Sequence, residues 1–227
     1  MMPFQTMRTA IFGGTFDPIH SAHLIVAHEA AEAFALDRVL FIPAANPPHK
    51  EAGAPYEDRF RMVELACAAD PRFHPSRLEE GRAGTGPPRP SKIPGTAEGS
   101  TEAGSVVPGS SPGSSIEKSY SILTIERLKA PGETLFFIIG ADAFAEIRSW
   151  RRWEDVVQGV EFIVVTRPGH VYDSPPGARV FRLETIALPV SSSEIRQELS
   201  QGLTPSDLPP AVAEYIHARG LYRSPQD

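Results

Sequence analysis

The chain contains 227 residues, of which 41% are hydrophobic, and its formal net charge is −6. This length and apolar content suit one soluble α/β domain with a sizeable core, and the acidic balance argues against a nucleic-acid partner. The single cysteine, Cys67, excludes an internal disulfide and a zinc site built from cysteines, and its apolar neighbours predict core packing. The apolar runs are too short to span a membrane and no leader precedes Gly13, so we expect a cytoplasmic protein with no membrane partner.

Strand signals alternate with helical signals along the chain. Strands are predicted at 8–12, 38–42, 134–139 and 161–165, with a further candidate at 180–183. Helices are predicted at 18–34, 56–69, 119–129, 150–157, 193–200 and 210–218. Apolar strands that alternate with helices indicate a parallel sheet covered on both faces and built from right-handed crossovers. We therefore predict a Rossmann-like, doubly wound α/β fold whose two closing C-terminal helices stop at Gly202 and Gly220.

One segment interrupts this alternation. Of the 36 residues from 81 to 116, 24 are Gly, Pro, Ser or Thr, and none is aromatic. Such a segment buries too little apolar surface to offset the entropy lost on ordering. We predict a disordered surface insertion within a single domain that spans residues 1–227, with a lid or a partner-binding segment as the alternative.

The most informative stretch, AIFGGTFDPIHSAH at residues 10–23, joins the first predicted strand to the first predicted helix. Gly13 and Gly14 have no Cβ, so the backbone can approach a ligand closely. Asp17 is a natural N-cap and Pro18 a natural first residue of the helix. Because the exposed N–H groups and the dipole of a helix start favour anions, this turn is predicted to hold the phosphates of a nucleotide.

Two histidines follow the turn at a spacing of three residues. His20 and His23 share one face of a helix and can reach the same ligand. A tight turn with histidines facing solvent is the alternative. A dinucleotide-dependent oxidoreductase is disfavoured, because the turn lacks G-x-G-x-x-G and no acidic residue ends the second strand.

Polar residues also follow two other predicted strands. His49 and Lys50 end a proline-rich loop after strand 38–42 and offer donors suited to a second phosphate. Asp142 follows Gly140 at the end of strand 134–139, where a carboxylate can accept hydrogen bonds from ribose hydroxyls or lie near magnesium. Capping the next helix is the alternative role for Asp142.

A second phosphate-binding signal lies in VSSSEIR at residues 190–196. Ser191 and Glu194 form a capping-box pattern, which fixes a helix start whose N–H groups can hold ATP phosphates. Arg196 lies one turn into that helix and can clamp phosphate oxygens through its planar guanidinium.

Together these stretches resemble the (H/T)xGH nucleotidyltransferase superfamily, and GGTFDPIHSAH is similar to the form found in bacterial nicotinate mononucleotide adenylyltransferases. The resemblance covers nearly the whole chain outside 81–116. It implies adenylyl transfer from ATP, with Mg²⁺ bound to it, to nicotinate mononucleotide in NAD biosynthesis. The products would be nicotinate adenine dinucleotide and pyrophosphate. Nicotinamide mononucleotide or phosphopantetheine as acceptor, or an inactive nucleotide-binding regulator, are the alternatives.

The resemblance also implies roles for individual residues. The expected catalytic residues are His20, His23 and Arg196, with His23 as the main α-phosphate contact. The expected ATP-binding residues are Gly13, Gly14, Thr15, Phe16, His20, His23, Gly140, Asp142, Ser192, Ser193 and Arg196. The expected mononucleotide-binding residues are His49, Lys50, Ser121 and Trp150, the last of which would stack on the pyridine ring.

Three positions depart from the family pattern. Ala22 replaces the usual glycine between the histidines, Ser121 replaces a threonine, and Leu123 replaces a frequent aspartate. The final segment, which ends in Gly220-Leu221-Tyr222, resembles the end of the family's sequences. No metal site built by the protein itself is expected, and the sequence leaves open whether the chain forms a homo-oligomer.

Overall fold

The computed structural model describes residues 7–47, 52–80, 121–129, 133–185 and 190–223. The strands are β1 (Met7–Gly14), β2 (Arg38–Pro43), β3 (Phe73–Pro75), β4 (Glu133–Gly140), β5 (Glu161–Thr166) and β6 (Arg179–Glu184). The helices are α1 (Ser21–Ala33), α2 (Tyr56–Cys67), α3 (Ser121–Leu128), α4 (Ala141–Ala145), α5 (Trp153–Gly159), α6 (Ser192–Ser200) and α7 (Pro210–Arg219), with a short 3-10 helix at Ile147–Ser149. The predicted insertion at 81–116, His49 and Lys50 lie outside the described residues.

The six strands form one parallel sheet in the order β3-β2-β1-β4-β5-β6. The chain builds outward from β1 to β3, returns to the other side of β1, and builds outward again from β4 to β6. The direction of building therefore reverses between β1 and β4, and ligands bind such sheets beyond the carboxyl ends of the strands at this point. The predicted Rossmann-like α/β fold is confirmed.

Both faces of the sheet are covered by helices. One buried cluster joins α1, α2, α6 and α7 to alternate residues of the central strands, for example Ala10, Phe41 and Phe136. The other joins α3, α4 and α5 to the residues between them, for example Ile11 and Phe137. Because side chains alternate across a strand and both faces are buried, the middle of each central strand is a run of apolar residues, at 10–12, 39–42, 135–139 and 162–164.

Cys67 lies in the first of these clusters, where burial raises the pKa of its thiol to about 12. The prediction of a core cysteine is confirmed. Gly220 caps the end of α7 at a φ of 64°, and Gly202 follows the end of α6 at a φ of 79°. Both glycines act as the predicted helix stops, since left-handed backbone favours glycine. Within the described residues, no helix has the length and apolar character needed to cross a membrane.

Two helix starts and two short elements differ from the predictions. Helix α1 begins at Ser21 with His20 in extended conformation before it, so the predictions of Asp17 as N-cap and of Pro18 as the first helical residue were wrong. Helix α5 begins at Trp153, because the 3-10 helix and a left-handed Arg152 at φ 55° occupy the preceding residues. The three-residue β3 and the five-residue α4 were not predicted, because neither is long enough to show a hydrophobic period.

Candidate active site

Strand β1 ends in two glycines, Gly13 and Gly14, directly before the loop that leads to α1. A Cβ on Gly14 would lie 3.2 Å from the ring of Phe16, so the close turn there favours glycine. Phe16 itself adopts a left-handed φ of 48° and is buried. A Cβ on Gly13 would meet only the Phe137 ring at 4.0 Å, so the fold leaves the backbone of Gly13 exposed and open to a ligand.

The two histidines lie side by side at the start of α1. Their ring centroids are 3.8 Å apart and the rings are tilted by 36°. The backbone N–H of His20 donates to Nδ1 of His23 at 3.2 Å, and the backbone N–H of His23 donates to the His20 carbonyl at 3.0 Å. Because Nδ1 of His23 accepts a hydrogen bond, the proton of its neutral imidazole lies on Nε2.

Burial keeps both imidazoles neutral near pH 7. It lowers the pKa of His20 from 6.5 to about 4, against a smaller opposing effect of Asp207. It also lowers the pKa of His23 well below 6.5, and the charge of a protonated His20 would lower it further. The pair can therefore offer N–H donors to a ligand without adding positive charge.

A cavity of about 420 Å³ lies between α1 and the carboxyl ends of β4, β5 and β6. Its lining includes the predicted residues Gly140 and Asp142, together with Ala22, which replaces the usual glycine between the histidines. Two further side chains that were not predicted, those of Arg167 and His170, also line it. They follow β5, so the rule that ligands bind beyond strand ends could have found them.

Asp142 lies in the first turn of α4, with its carboxylate fully exposed at the rim of the cavity. Nε2 of His170 is 4.0 Å from Oδ1 of Asp142. Gly140 precedes α4 in extended conformation and has no side chain to fill the cavity. The end of β4 therefore presents an exposed carboxylate beside the imidazole of His170.

The start of α6 is docked on the β1–α1 loop. Ser191 accepts from the N–H of Glu194 at 3.2 Å, and Glu194 accepts from the N–H of Ser191 at 3.2 Å, so the predicted capping box is confirmed. The hydroxyl of Ser192 donates to the carbonyl of Pro18 at 3.1 Å, across 174 residues of sequence. The two predicted phosphate-binding stretches therefore meet.

Arg196 also binds this loop. Its Nη1 donates to the backbone carbonyl of Asp17 at 2.7 Å, and its Nη2 donates to the hydroxyl of Ser193 at 3.2 Å. About one fifth of the side chain remains exposed. In this structure the guanidinium fixes the loop beside the histidines.

The carboxylate of Asp17 connects four parts of the chain. It is 2% exposed and accepts from the N–H of Gly53 at 2.7 Å, the N–H of Ala54 at 3.1 Å and the hydroxyl of Tyr222 at 2.7 Å. Arg196 lies 3.7 Å from its Oδ2. These tertiary bonds explain why Asp17 does not cap α1. Sequence reasoning missed them because the partners lie up to 205 residues away.

A buried arginine that sequence reasoning missed fixes the same loops. Arg59 is 1% exposed, and its guanidinium donates to the backbone carbonyls of Thr15 at 2.7 Å, Ala44 at 2.8 Å and Ala54 at 3.2 Å. Burial lowers its pKa, and the nearby carboxylate of Asp17 opposes that effect. The segments that follow β1 and β2 are therefore tied to α2 through one side chain.

Comparison with known proteins gives the family. Residues 11–198 match the cytidylyltransferase-like family. A Solibacter usitatus protein named "Probable nicotinate-nucleotide adenylyltransferase" is 51% identical over 95% of this chain and 100% of its own length. The chain belongs to the nicotinate-nucleotide adenylyltransferase family. A Thermus thermophilus protein of the same name is 37% identical over 96% of this chain and 100% of its own length.

A solved adenylyltransferase structure has the same fold. The Plasmodium falciparum nicotinic acid mononucleotide adenylyltransferase complexed with NaAD superposes with a TM-score of 0.64 and covers 95% of this chain and 97% of its own. Its sequence is 19% identical to this one, so the likeness concerns the fold.

Two of the predicted mononucleotide-binding residues belong to the face of the sheet opposite to α1. Ser121 begins α3, and Leu123 packs against the cluster that also contacts Trp150. The half-buried Trp150 meets the ring of Phe137 edge-on, with the centroids 5.9 Å apart. Among the contacts of the described residues, no hydrogen bond or ring contact joins Ser121 to Trp150.

Proposed function

We propose that this chain transfers the adenylyl group of ATP to the phosphate of nicotinate mononucleotide. The observation that carries the proposal is the neutral histidine pair at the reversal point of the sheet, directly after the loop to which the start of α6 is hydrogen-bonded. Relatives that are 51% and 37% identical and bear the name of this activity support the choice of substrate.

The reaction needs positioned donors more than it needs a strong base. A phosphate monoester has a second pKa of about 6, so the mononucleotide is already a nucleophilic dianion near neutral pH. One of its oxygens bonds to the α-phosphorus of ATP, the bond from that phosphorus to the bridging oxygen breaks, and pyrophosphate leaves. Nε2–H of His23 donates to an α-phosphate oxygen, with His20 beside it, as negative charge spreads over the transferring group.

We place the adenosine part of ATP in the cavity beside α1. A volume of about 420 Å³ suits a nucleoside, and Ala22, Ile25 and Val26 give it an apolar wall. Asp142 at the rim can accept from the ribose hydroxyls, as predicted from the sequence. The triphosphate would then run towards Gly13, Gly14, Thr15 and Phe16 and the start of α6 at Ser192 and Ser193.

Magnesium enters this proposal as part of the MgATP substrate. It would reduce repulsion between the two anionic substrates and assist the departure of pyrophosphate. Among the described residues, no group of three or more His, Cys, Asp or Glu side chains is placed to hold an ion. The mononucleotide would bind on the other side of the histidines, through His49, Lys50, Ser121 and Trp150.

The proposal includes a cytoplasmic setting, which the single, buried Cys67 supports. Its test is pyrophosphate release from ATP and magnesium with nicotinate mononucleotide, nicotinamide mononucleotide or phosphopantetheine as acceptor. We expect release with nicotinate mononucleotide, loss of release with excess chelator, and a product of the mass of nicotinate adenine dinucleotide. Preference for another acceptor would contradict the choice of nicotinate mononucleotide as the substrate but not adenylyl transfer itself. ATP binding without turnover on any acceptor would contradict the proposal and indicate an inactive regulator.

A further inference from the structure

Tyr222 binds the active-site loop from the far end of the chain. It follows α7 and Gly220, and its hydroxyl donates to Oδ1 of Asp17 at 2.7 Å. Asp17 precedes His20 by three residues, and the intervening Pro18 and Ile19 are buried. A displacement of the Asp17 carboxylate therefore reaches the histidine pair through a short, packed segment.

The backbone is unusual at both ends of this hydrogen bond. Among the described residues, four that are not glycine have a left-handed φ, and two of them are Phe16 at 48° and Tyr222 at 62°. Side chains other than glycine rarely adopt this conformation, and it persists where surrounding contacts hold it. One is the direct neighbour of Asp17, and the other is the donor itself.

The histidine geometry depends on the position of this loop. The bond that fixes the tautomer of His23 comes from the backbone N–H of His20, whose direction is set by the segment from Asp17. Loss of the Tyr222 hydroxyl would remove one hydrogen-bond donor from the buried carboxylate of Asp17. The loop between β1 and α1 would then shift so that this carboxylate finds another donor. The N–H of His20 would then turn away from Nδ1 of His23.

We propose that Tyr222 is a positioning residue, which holds the Asp17–His20 segment through its hydroxyl and thereby fixes the imidazole of His23 for adenylyl transfer. The kinetic part of this inference rests on the proposed function. Its structural part does not, because the state of the His23 ring can be observed without turnover.

The chain contains a matched control for this tyrosine. The hydroxyl of Tyr215 donates to Oδ1 of Asp58 at 2.7 Å, so Tyr215→Phe removes the same bond to an equally buried carboxylate. Asp58 also accepts from Arg219, so this second network joins α2 to α7. A tyrosine that acts only on stability would behave alike at both positions.

The test compares Tyr222→Phe with Tyr215→Phe and the unaltered protein by thermal denaturation, steady-state kinetics and ¹⁵N NMR of the histidine rings. We expect both variants to melt at lower temperature. Tyr222→Phe should lower kcat about tenfold with little change in the KM of either substrate, because misplaced groups lose turnover more than binding. It should also shift the Nδ1 and Nε2 resonances of His23, whereas Tyr215→Phe should leave kcat and both resonances unchanged.

Unchanged kcat and unchanged His23 resonances in a folded Tyr222→Phe protein would overturn the inference. If Tyr222→Phe does not fold under these conditions, the same measurements are made on it at lower temperature in sucrose, which stabilises the folded state. A fall in kcat with shifted His23 signals in that variant supports the inference, and their absence overturns it. If the unaltered protein releases no pyrophosphate, the proposed function fails, and the His23 resonances alone decide the positioning role.

Discussion

Burial gives His20 and His23 their chemical character. Desolvation holds both imidazoles neutral. The hydrogen bond from the backbone N–H of His20 to Nδ1 of His23 leaves His23 with one N–H donor, at Nε2. A neutral donor stabilises charge that develops on a phosphate oxygen without binding the substrate dianion too strongly in the ground state. The sequence could predict the pair but not its protonation, because burial arises only in the fold.

Replacement of His23 by alanine should therefore affect turnover far more than folding. We expect His23→Ala to lower kcat by roughly 10²–10³-fold, as for loss of one preorganised donor, with the far-ultraviolet circular dichroism unchanged. His28→Ala, on an exposed position of the same helix, serves as the control and should retain normal turnover. A His23→Ala protein with normal kcat would contradict the assignment.

The lowered pKa of His20 makes folding stability depend on pH. Because the unfolded chain binds this proton near pH 6.5 and the folded chain only near pH 4, stability is highest above pH 6.5 and falls as the pH drops towards 4. Between pH 7 and pH 5 the loss from this one group is about 2 kcal/mol. Urea unfolding of the unaltered protein and of His20→Asn at both pH values measures this loss in the free energy of unfolding. Equal pH dependence in the two proteins would refute it.

At the scale of helices and strands, sequence patterns predicted the elements whose hydrogen bonds join residues close together in the chain. The capping box of α6 was predicted because Ser191 and Glu194 lie three residues apart, and the central strands were predicted from their apolar runs. The start of α1 was predicted wrongly because Asp17 is bound by distant segments. Arg59 was overlooked because nothing near it in the sequence indicates that it reaches three carbonyls.

The cap of α6 can be tested alone. Ser191→Ala removes the acceptor for the Glu194 N–H and should cost about 1 kcal/mol, or roughly 2–4 °C in melting temperature. Ser191→Asp should restore most of the loss, since aspartate is also a good N-cap. Ser200→Ala, at the exposed end of α6, is the control. A melting temperature unaffected by Ser191→Ala would show that the cap contributes little.

At the scale of the whole molecule, the site is assembled from both ends of the chain. The loop after β1 is held by α2 through Arg59, by α6 through Arg196 and by the C-terminal Tyr222. The sheet order explains why these segments meet, because α1, α2, α6 and α7 cover the same face. Ligand binding in this region should therefore stabilise the entire fold.

A non-hydrolysable ATP analogue measures that effect. At 100 times its dissociation constant, a ligand that binds only the folded protein adds about 2.7 kcal/mol, which should raise the melting temperature by roughly 5–10 °C. Differential scanning fluorimetry with the analogue, and with inorganic phosphate as control, gives the shift. The absence of a shift at saturating analogue would contradict an ATP site at the histidine pair.

The hydrogen bonds of Arg59 have a consequence for how such a site can change during evolution. All three of its acceptors are main-chain oxygens, of Thr15, Ala44 and Ala54. Mutation can therefore exchange the side chains of these segments, and with them the preference for one acceptor molecule over another, while the anchor that shapes the backbone is kept. A lineage could alter what it accepts without rebuilding the scaffold that delivers the adenylyl group.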